Sequence, residues 1–458
     1  MVMTQPTRRS MLRASIGFAA AGTLAHPYVA NAAAKTATVW GVQGFAEEED
    51  IAFKKLVGDY EKASGNTIDY TITPYAPHRQ KIISAITSGE VPDTFPSNPA
   101  EIVALFAWDG KLVDVTDVIK TQQEEYTETA LLSSQCYNRV EKERSYYGVP
   151  TTGAVLPNHV WKSLVEKAGY KIEDIPKTWD AYYDFFKGVQ KKLREQGLRN
   201  VYGMGFQITT NGVDPAALFH YFVIANGGEN LVTREGKLNV DDPKVKQAVI
   251  QTNTHLTTAY KDAFVPPSAI NWNDADDNNA FHSKLMVMDL DGTISTEVAL
   301  FKKKEDYDDI VTMGLPLSND GKPVPAQLTP VNWVIPNGAK NVEVAKDFLK
   351  FVIQPQVLNE WLKTGLGRNV PNMPSIVKND HWWFDDPHRA AYTSEALLGR
   401  TVPPYWAFNP AYAQVQTEHV WSQAWMDVIQ GGMSQEAGAE KAFKRAAEIF
   451  SKYPIDET

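Results

Sequence analysis

Residues 37–95 switch repeatedly between two periods, and that alternation limits the folds open to the chain. Residues 37–42 (ATVWGV) form a short apolar run fit for a strand. Ile51, Phe53, Leu56, Val57 and Tyr60 then recur at helical spacing behind the acids Glu47, Glu48, Glu49 and Asp50. Acids in a first turn suit the positive end of the helix dipole. Gly65 ends this helix, and residues 67–73 (TIDYTIT) alternate polar and apolar side chains as a strand does. Residues 78–88 make a second amphipathic helix, stopped by Gly89. Residues 91–95 supply a third strand, and Ser97-Asn98-Pro99 opens the next helix. The order β-α-β-α-β predicts an α/β fold, with a mainly parallel sheet flanked by helices.

Later segments extend the pattern. Thr178 is placed to cap a helix over 179–194 that carries Tyr182, Phe185, Phe186 and Val189 on one face. Residues 202–207 (YGMGFQ) read as a short strand. A loop is expected over 268–279, with Trp272 set among Asn and Asp. Residues 332–335 read as the last strand before the C-terminal helices. Residues 284–295 (KLMVMDLDGTIS) form a buried strand with a polar tip, and ligands gather beyond the carboxyl ends of such strands. DxDGT at 289–293 also resembles the first motif of haloacid dehalogenase-like phosphatases, with Asp289 as nucleophile and Asp291 as acid/base. That motif belongs on the first strand of its domain, whereas here it lies late. The required downstream Gly-Asp dipeptide is missing after Thr293.

The amino terminus carries an address. Arg8 and Arg9 precede a short apolar segment, 16–24, and Ala30-Asn31-Ala32 gives a cleavage site. Residues 1–32 are expected to be an export signal peptide of the twin-arginine type, cleaved near Ala32, with the mature protein in the periplasm. The net charge of -10 argues against a nucleic-acid groove or a basic membrane-surface face. Cys136 is the sole cysteine, so no internal disulfide forms. A length of 458 residues suggests two or three domains.

The order of motifs resembles the extracellular solute-binding proteins of family 1, the sugar-binding components of ABC importers. SGEVPDTF at 88–95 and AWDGKLVDVTD at 107–117 resemble its first lobe. YYGVP at 146–150 resembles its first interlobe crossing, and PKTWD at 176–180 a helix start. FHSKLM at 281–286 resembles its lead into the returning strand, with Ser283 where the family usually has Gly. Residues 344–353 and 431–442 resemble its C-terminal helices. The resemblance implies two α/β lobes joined by a three-crossing hinge. Expected boundaries are 36–149 with 290–331 for the first lobe and 150–289 with 332–458 for the second.

It also implies a cleft drawn from strand-end loops: Gln43 and Phe45, Ser97 and Asn98, Thr151 and Thr152, Asp291 and Gly292, Asn332 and Trp333, and Arg368. Chemistry points the same way. Pyranose faces stack on aromatic rings, and hydroxyls need planar donors and acceptors. Trp272 and Trp406 are the expected stacking residues, because polar groups such as Asn271 and Asn409 lie near them. Arg368 has an alternative role in a surface ion pair. The implied function is capture of a sugar or polyol by hinge closure and delivery to an ABC importer permease in the membrane. The protein is expected to act as a monomer without catalysis, cofactor, metal or nucleic acid. The alternative is a secreted hydrolase, of phosphatase or glycosidase type. No G-x-S-x-G, H-E-x-x-H, P-loop or C-x-x-C motif occurs.

Overall fold

The computed structural model describes residues 35–97 and 99–455. The expected export signal and the candidate residue Asn98 lie outside them. Strand β1 (Thr36–Val42), helix α1 (Glu47–Ser64), strand β2 (Thr67–Thr73) and helix α2 (Tyr75–Ser88) follow the expected order. Gly65 and Gly89 close the two helices in the left-handed conformation, at φ of 74° and 80°. The third strand is shorter than expected: only β3 (Phe95–Pro96) is extended. A hairpin of β4 (Gln135–Asn138) and β5 (Glu143–Tyr146) has no counterpart in the sequence reading.

Two sheets organise the rest. Strands β6 (Val149–Ala154), β7 (Asn158–Trp161), β8 (Tyr202–Gly205), β9 (Met286–Leu290) and β10 (Ile310–Met313) come next in the chain. They are followed by β11 (Ala326–Gln327), β12 (Thr329–Val334), β13 (Val370–Pro371) and β14 (Thr401–Val402). In the first lobe β1 and β2 pair in parallel, and Val39 bridges in parallel to Thr94. There β3 joins a four-stranded sheet in the order β13-β6-β12-β3, all antiparallel. The second lobe holds β10-β7-β9-β8, in which only β8 and β9 run parallel. Every residue of β9 is buried, as an inner strand covered on both faces requires.

The pairing moves the lobe boundary away from the expected one. After β9 the chain does not leave the second lobe. It forms helix Ser295–Leu300 and returns as β10, which pairs with β7. The segment expected in the first lobe, 290–331, therefore belongs there only from β12 onward. Conversely, helices Val342–Val352 and Pro355–Thr364, expected in the second lobe, cover the first. Tyr60 of α1 meets Phe348 and Phe351 edge-on, at 5.1 and 5.6 Å between ring centroids. The crossings run from β6 to β7, from β10 to β12, and from β13 to helix Pro387–Thr393, which packs on β10. The reason is packing: the hydrophobic faces of these helices are completed by α1, a partner that sequence spacing does not name.

Aromatic rings pack densely in each lobe, within one connected core. Trp333 stacks on Phe53 at 6.1 Å in the first. Trp179, Tyr183, Phe206 and Phe222 interlock in the second, with Trp179 5.1 Å from Phe222. Phe219 lies flat on Trp421 at 4.4 Å and ties the C-terminal helices to the second lobe. Among the described residues no helix is long and apolar enough to cross a membrane.

Candidate functional site

The carboxyl ends of the parallel pair β8 and β9 open onto a cluster of acids. Asp291 follows β9 directly. Its Oδ1 accepts from Gly292 N at 2.5 Å, and its Oδ2 accepts from Asn278 Nδ2 at 2.5 Å and Ser295 Oγ at 3.1 Å. Gln207, just past β8, donates through Nε2 to Asp214 Oδ2 at 2.9 Å and to Asp277 Oδ2 at 2.6 Å. Oxygens of Asp214, Asp277 and Asp291 all lie within 4.8 Å of one another. Asp274 accepts from Val213 N at 2.6 Å, just before helix Asp214–Ala225. Two residues upstream of Asp291, Asp289 is wholly buried, and neither of its oxygens has a hydrogen-bond partner in the protein.

Burial is the main force on these carboxyls, and like charge adds to it. Asp214, Asp277 and Asp289 are held well above the ordinary carboxylate range, by desolvation first and by their acidic neighbours second. Asp291 is raised by burial, with the nearby His159 opposing. The first lobe faces this cluster with Tyr75 and Arg79 of α2 and with Glu101. Desolvation pushes Glu101 up to about 7, and Arg79 and Asp274 both act on it. Tyr75 feels Glu101, Asp274 and Asp214 together. The cleft between the lobes is thus acidic on both walls, with Arg79 as a cation on the first-lobe side.

Behind Asp291 sits a second polar network. His159 Nδ1 and Glu297 Oε1 are 2.7 Å apart and fully buried. Thr312 donates to Glu297 and contacts His388 Nδ1 at 2.7 Å. Burial opposes a charge on His159, yet Glu297 beside it raises its pKa on balance. This network pins β7, β10 and the helix after Asp291 against one another.

The sequence candidates divide into groups. Asp291 and Gly292 are in the acidic cluster. Ser97 is buried at the first-lobe strand end, its backbone N donating to Asn332 O at 2.7 Å, its hydroxyl unpartnered in the protein. Thr151 and Thr152 lie in β6, buried inside the first sheet. Asn332 is wholly buried and spends its amide on Ser134 Oγ, at 2.7 Å, and on Ser133 O. Trp333 is core. Trp272 is 5% exposed, and its indole N–H donates to Ser268 Oγ at 3.1 Å. Trp406 is 2% exposed. Neither ring presents an open face here, because apolar burial claims both. The expected loop around Trp272 is in fact a 3-10 turn, Pro267–Asn271, followed by helix Asp276–His282.

Gln43 and Phe45 are exposed at the start of α1. Arg368 lies over the Phe45 ring at 5.2 Å and donates to Glu49 Oε2 at 2.7 Å, so the ion-pair role is the one seen. Sequence reasoning missed Tyr75, Arg79, Glu101, Gln207, Asp214, Asp274 and Asp277. The one available signal was Gln207, the final residue of a segment already read as a strand.

A family model for bacterial extracellular solute-binding proteins matches residues 55–391. The chain belongs to that family. Solved structures share the fold. A Thermotoga lettingae ABC transporter solute-binding protein bound with α-D-tagatose is 20% identical at a TM-score of 0.75, over 91% of this chain and 100% of that one. The maltose-bound MalE3 of T. maritima is 17% identical at 0.72, over 91% and 100%. The maltotriose-bound protein of Thermus thermophilus is 19% identical at 0.66, over 90% and 100%. No curated protein sequence matches this chain.

Proposed function

We propose that this protein captures a sugar or polyol between its lobes and presents the closed form to an ABC importer permease. The observation that carries the reading is the convergence of polar groups from both lobes on one cleft: Tyr75, Arg79 and Glu101 opposite Asp214, Asp274, Asp277 and Asp291. A ligand that touches both walls only when they are together stabilises the closed state by its differential affinity. Closure is a hinge motion about the three crossings. Residues 1–32 direct export by the twin-arginine route, and the mature protein works as a monomer outside the cytoplasm.

No covalent step is part of the mechanism. A phosphatase would need Asp289 to reach substrate, and Asp289 is fully buried beside Gly205, where a side chain would meet its Oδ1 at 2.5 Å. The test is a thermal-shift screen across sugars and polyols, since a ligand bound only by the folded state raises stability by mass action. Small-angle scattering on the responding ligand should show compaction. Absence of any response, or turnover of the bound compound into product, overturns the reading.

A further inference from the structure

We infer that the ligand carries a primary ammonium group and that Asp214, Asp277 and Asp291 receive it. This rests on the carbohydrate-binding reading above and narrows its substrate class to amino-bearing sugars or polyols. An ammonium offers three donors and no acceptor. With N–H···O distances of about 2.8 Å, three tetrahedrally placed acceptors stand about 4.6 Å apart. The three carboxylates offer oxygens within 4.8 Å of one another.

The amide N–H groups of Gln207 and Asn278 are already directed at the acids. Beside those amide groups, Gln207 Oε1, on a residue 3% exposed, is an acceptor without a partner in the protein. Gln207 Oε1 lies beside Gly212, on the Asp274 side of the acids. A side chain on Gly212 would lie 3.1 Å from it and would collide with Asp274 Oδ1 on the other side. A hydroxyl brings one donor along with acceptors that this wall does not need, whereas an ammonium brings donors alone. The charges acting most strongly on Asp214 and Asp277 are other carboxylates, so a ligand cation also relieves their repulsion.

A divalent metal ion is the competing occupant. It would have to share oxygens that already accept from N–H groups. Asp277 Oδ1 takes Asn278 N at 2.8 Å, and Asp291 Oδ1 takes Gly292 N at 2.5 Å. An added N–H donor fits that environment better than a bare ion.

Isothermal titration of the mature protein with matched pairs decides the matter: D-glucosamine against D-glucose, the β-1,4 glucosamine disaccharide against cellobiose, and Ca²⁺ or Zn²⁺ alone. The amino member of at least one pair should bind at least tenfold tighter than its neutral partner. In Asp214→Asn, and independently in Asp277→Asn, that ratio should fall towards one. Unfolding curves on both variants confirm that they are folded. If neutral members bind as tightly as amino members, the ammonium inference falls and the carbohydrate reading stands. If neither member of any pair binds, the ammonium inference falls, and the thermal-shift screen across sugars and polyols decides the carbohydrate reading. A response to metal alone, or a preference for the amine that survives both substitutions, also overturns the inference.

Discussion

Asp214→Asn should make the unliganded protein more stable at pH 8 and leave it nearly unchanged at pH 4. The carboxylate oxygens of Asp214, Asp277 and Asp291 lie within 4.8 Å of one another. At an effective dielectric of about 20, two full charges at that distance repel by about 3.5 kcal/mol. A carboxylate with two charged neighbours therefore feels about 7 kcal/mol. Taking up a proton at pH 7 costs a carboxyl about 4 kcal/mol. Protonation wins, and burial pushes the same way, so the cluster holds a proton at neutral pH and still keeps one repelling pair. Removing the Asp214 charge spares the folded state about 4 kcal/mol by the same reckoning. Loss of an acid from the first turn of helix Asp214–Ala225 takes back about 0.3–1 kcal/mol. The hydrogen bond from Gln207 survives, because Asn can present its oxygen at the same place. The net gain is about 3–4 kcal/mol at pH 8.

The sign with pH follows from linkage. Folded-state pKa values here are raised, so the cluster favours folding at low pH and opposes it as pH climbs through those values. Titratable groups facing the cluster are Tyr75 and Glu101 from the first lobe, with Asp274, Asp277, Asp289, Asp291 and His159 from the second, and Arg79 faces it as a cation. Urea unfolding followed by tryptophan fluorescence at both pH values is the assay. A variant no more stable than the parent at pH 8, or one shifted equally at pH 4, refutes the reasoning.

Other outcomes follow from the same structure. Glu297→Gln strands His159 in the core and should cost about 3–5 kcal/mol by denaturant unfolding. In the parent, the raised pKa of His159 means that the pair's contribution is present below its ordinary value of 6.5 and is lost as pH rises through the folded value. Trp333→Ala should remove about 3–5 kcal/mol from the first lobe, read as an early unfolding phase, without the selective loss of ligand contact that a cleft residue would show. Lys302→Ala should leave the denaturant midpoint essentially unchanged, because its bond to Glu48 is exposed, and scattering should show at most a small shift towards open forms. Trp272→Ala should lower the melting temperature, since the ring is buried. If it left stability intact and abolished ligand binding, the packed role assigned to it here would be wrong.

The α/β character was legible because helical and strand periods are local. Phe53, Leu56, Val57 and Tyr60 declare a helix face without reference to anything distant, and α1 forms where they do. Lobe membership was not legible. Strand β12 lies between β3 and β6 through pairings that no spacing along the chain encodes. The β4–β5 hairpin was hidden for a related reason: its strands mix polar and apolar residues, and its turn bends through Lys142 at φ 56° rather than through a glycine. In the cleft, Asp291 could be found because it ends an apolar run. Asp214 and Asp277 sit in the first turns of helices, where an acid ordinarily needs no further explanation. Trp272 and Trp406 have polar neighbours in sequence but are buried in space, and no spacing along the chain encodes that.

The acids of the cleft run against the logic of the rest of the molecule. Many charged groups elsewhere are exposed or paired, as in Lys363 with Asp380 or Arg445 with Glu418. Here carboxyls are gathered out of water with amides for company, an arrangement that lowers stability at neutral pH by several kcal/mol on the estimate above. Helix Asp214–Ala225 would pack as well with Asn at its first position, and Asp274 already holds Val213 N just before it. Folding alone therefore gives no reason for a charge at 214. A function does, if the charge is neutralised by what binds. The stability gained by Asp214→Asn and the ligand preference lost in the same variant are then two measurements of one electrostatic term. They should agree in sign and roughly in size, and a variant that gained stability while keeping its full preference for amines would separate them and break the argument.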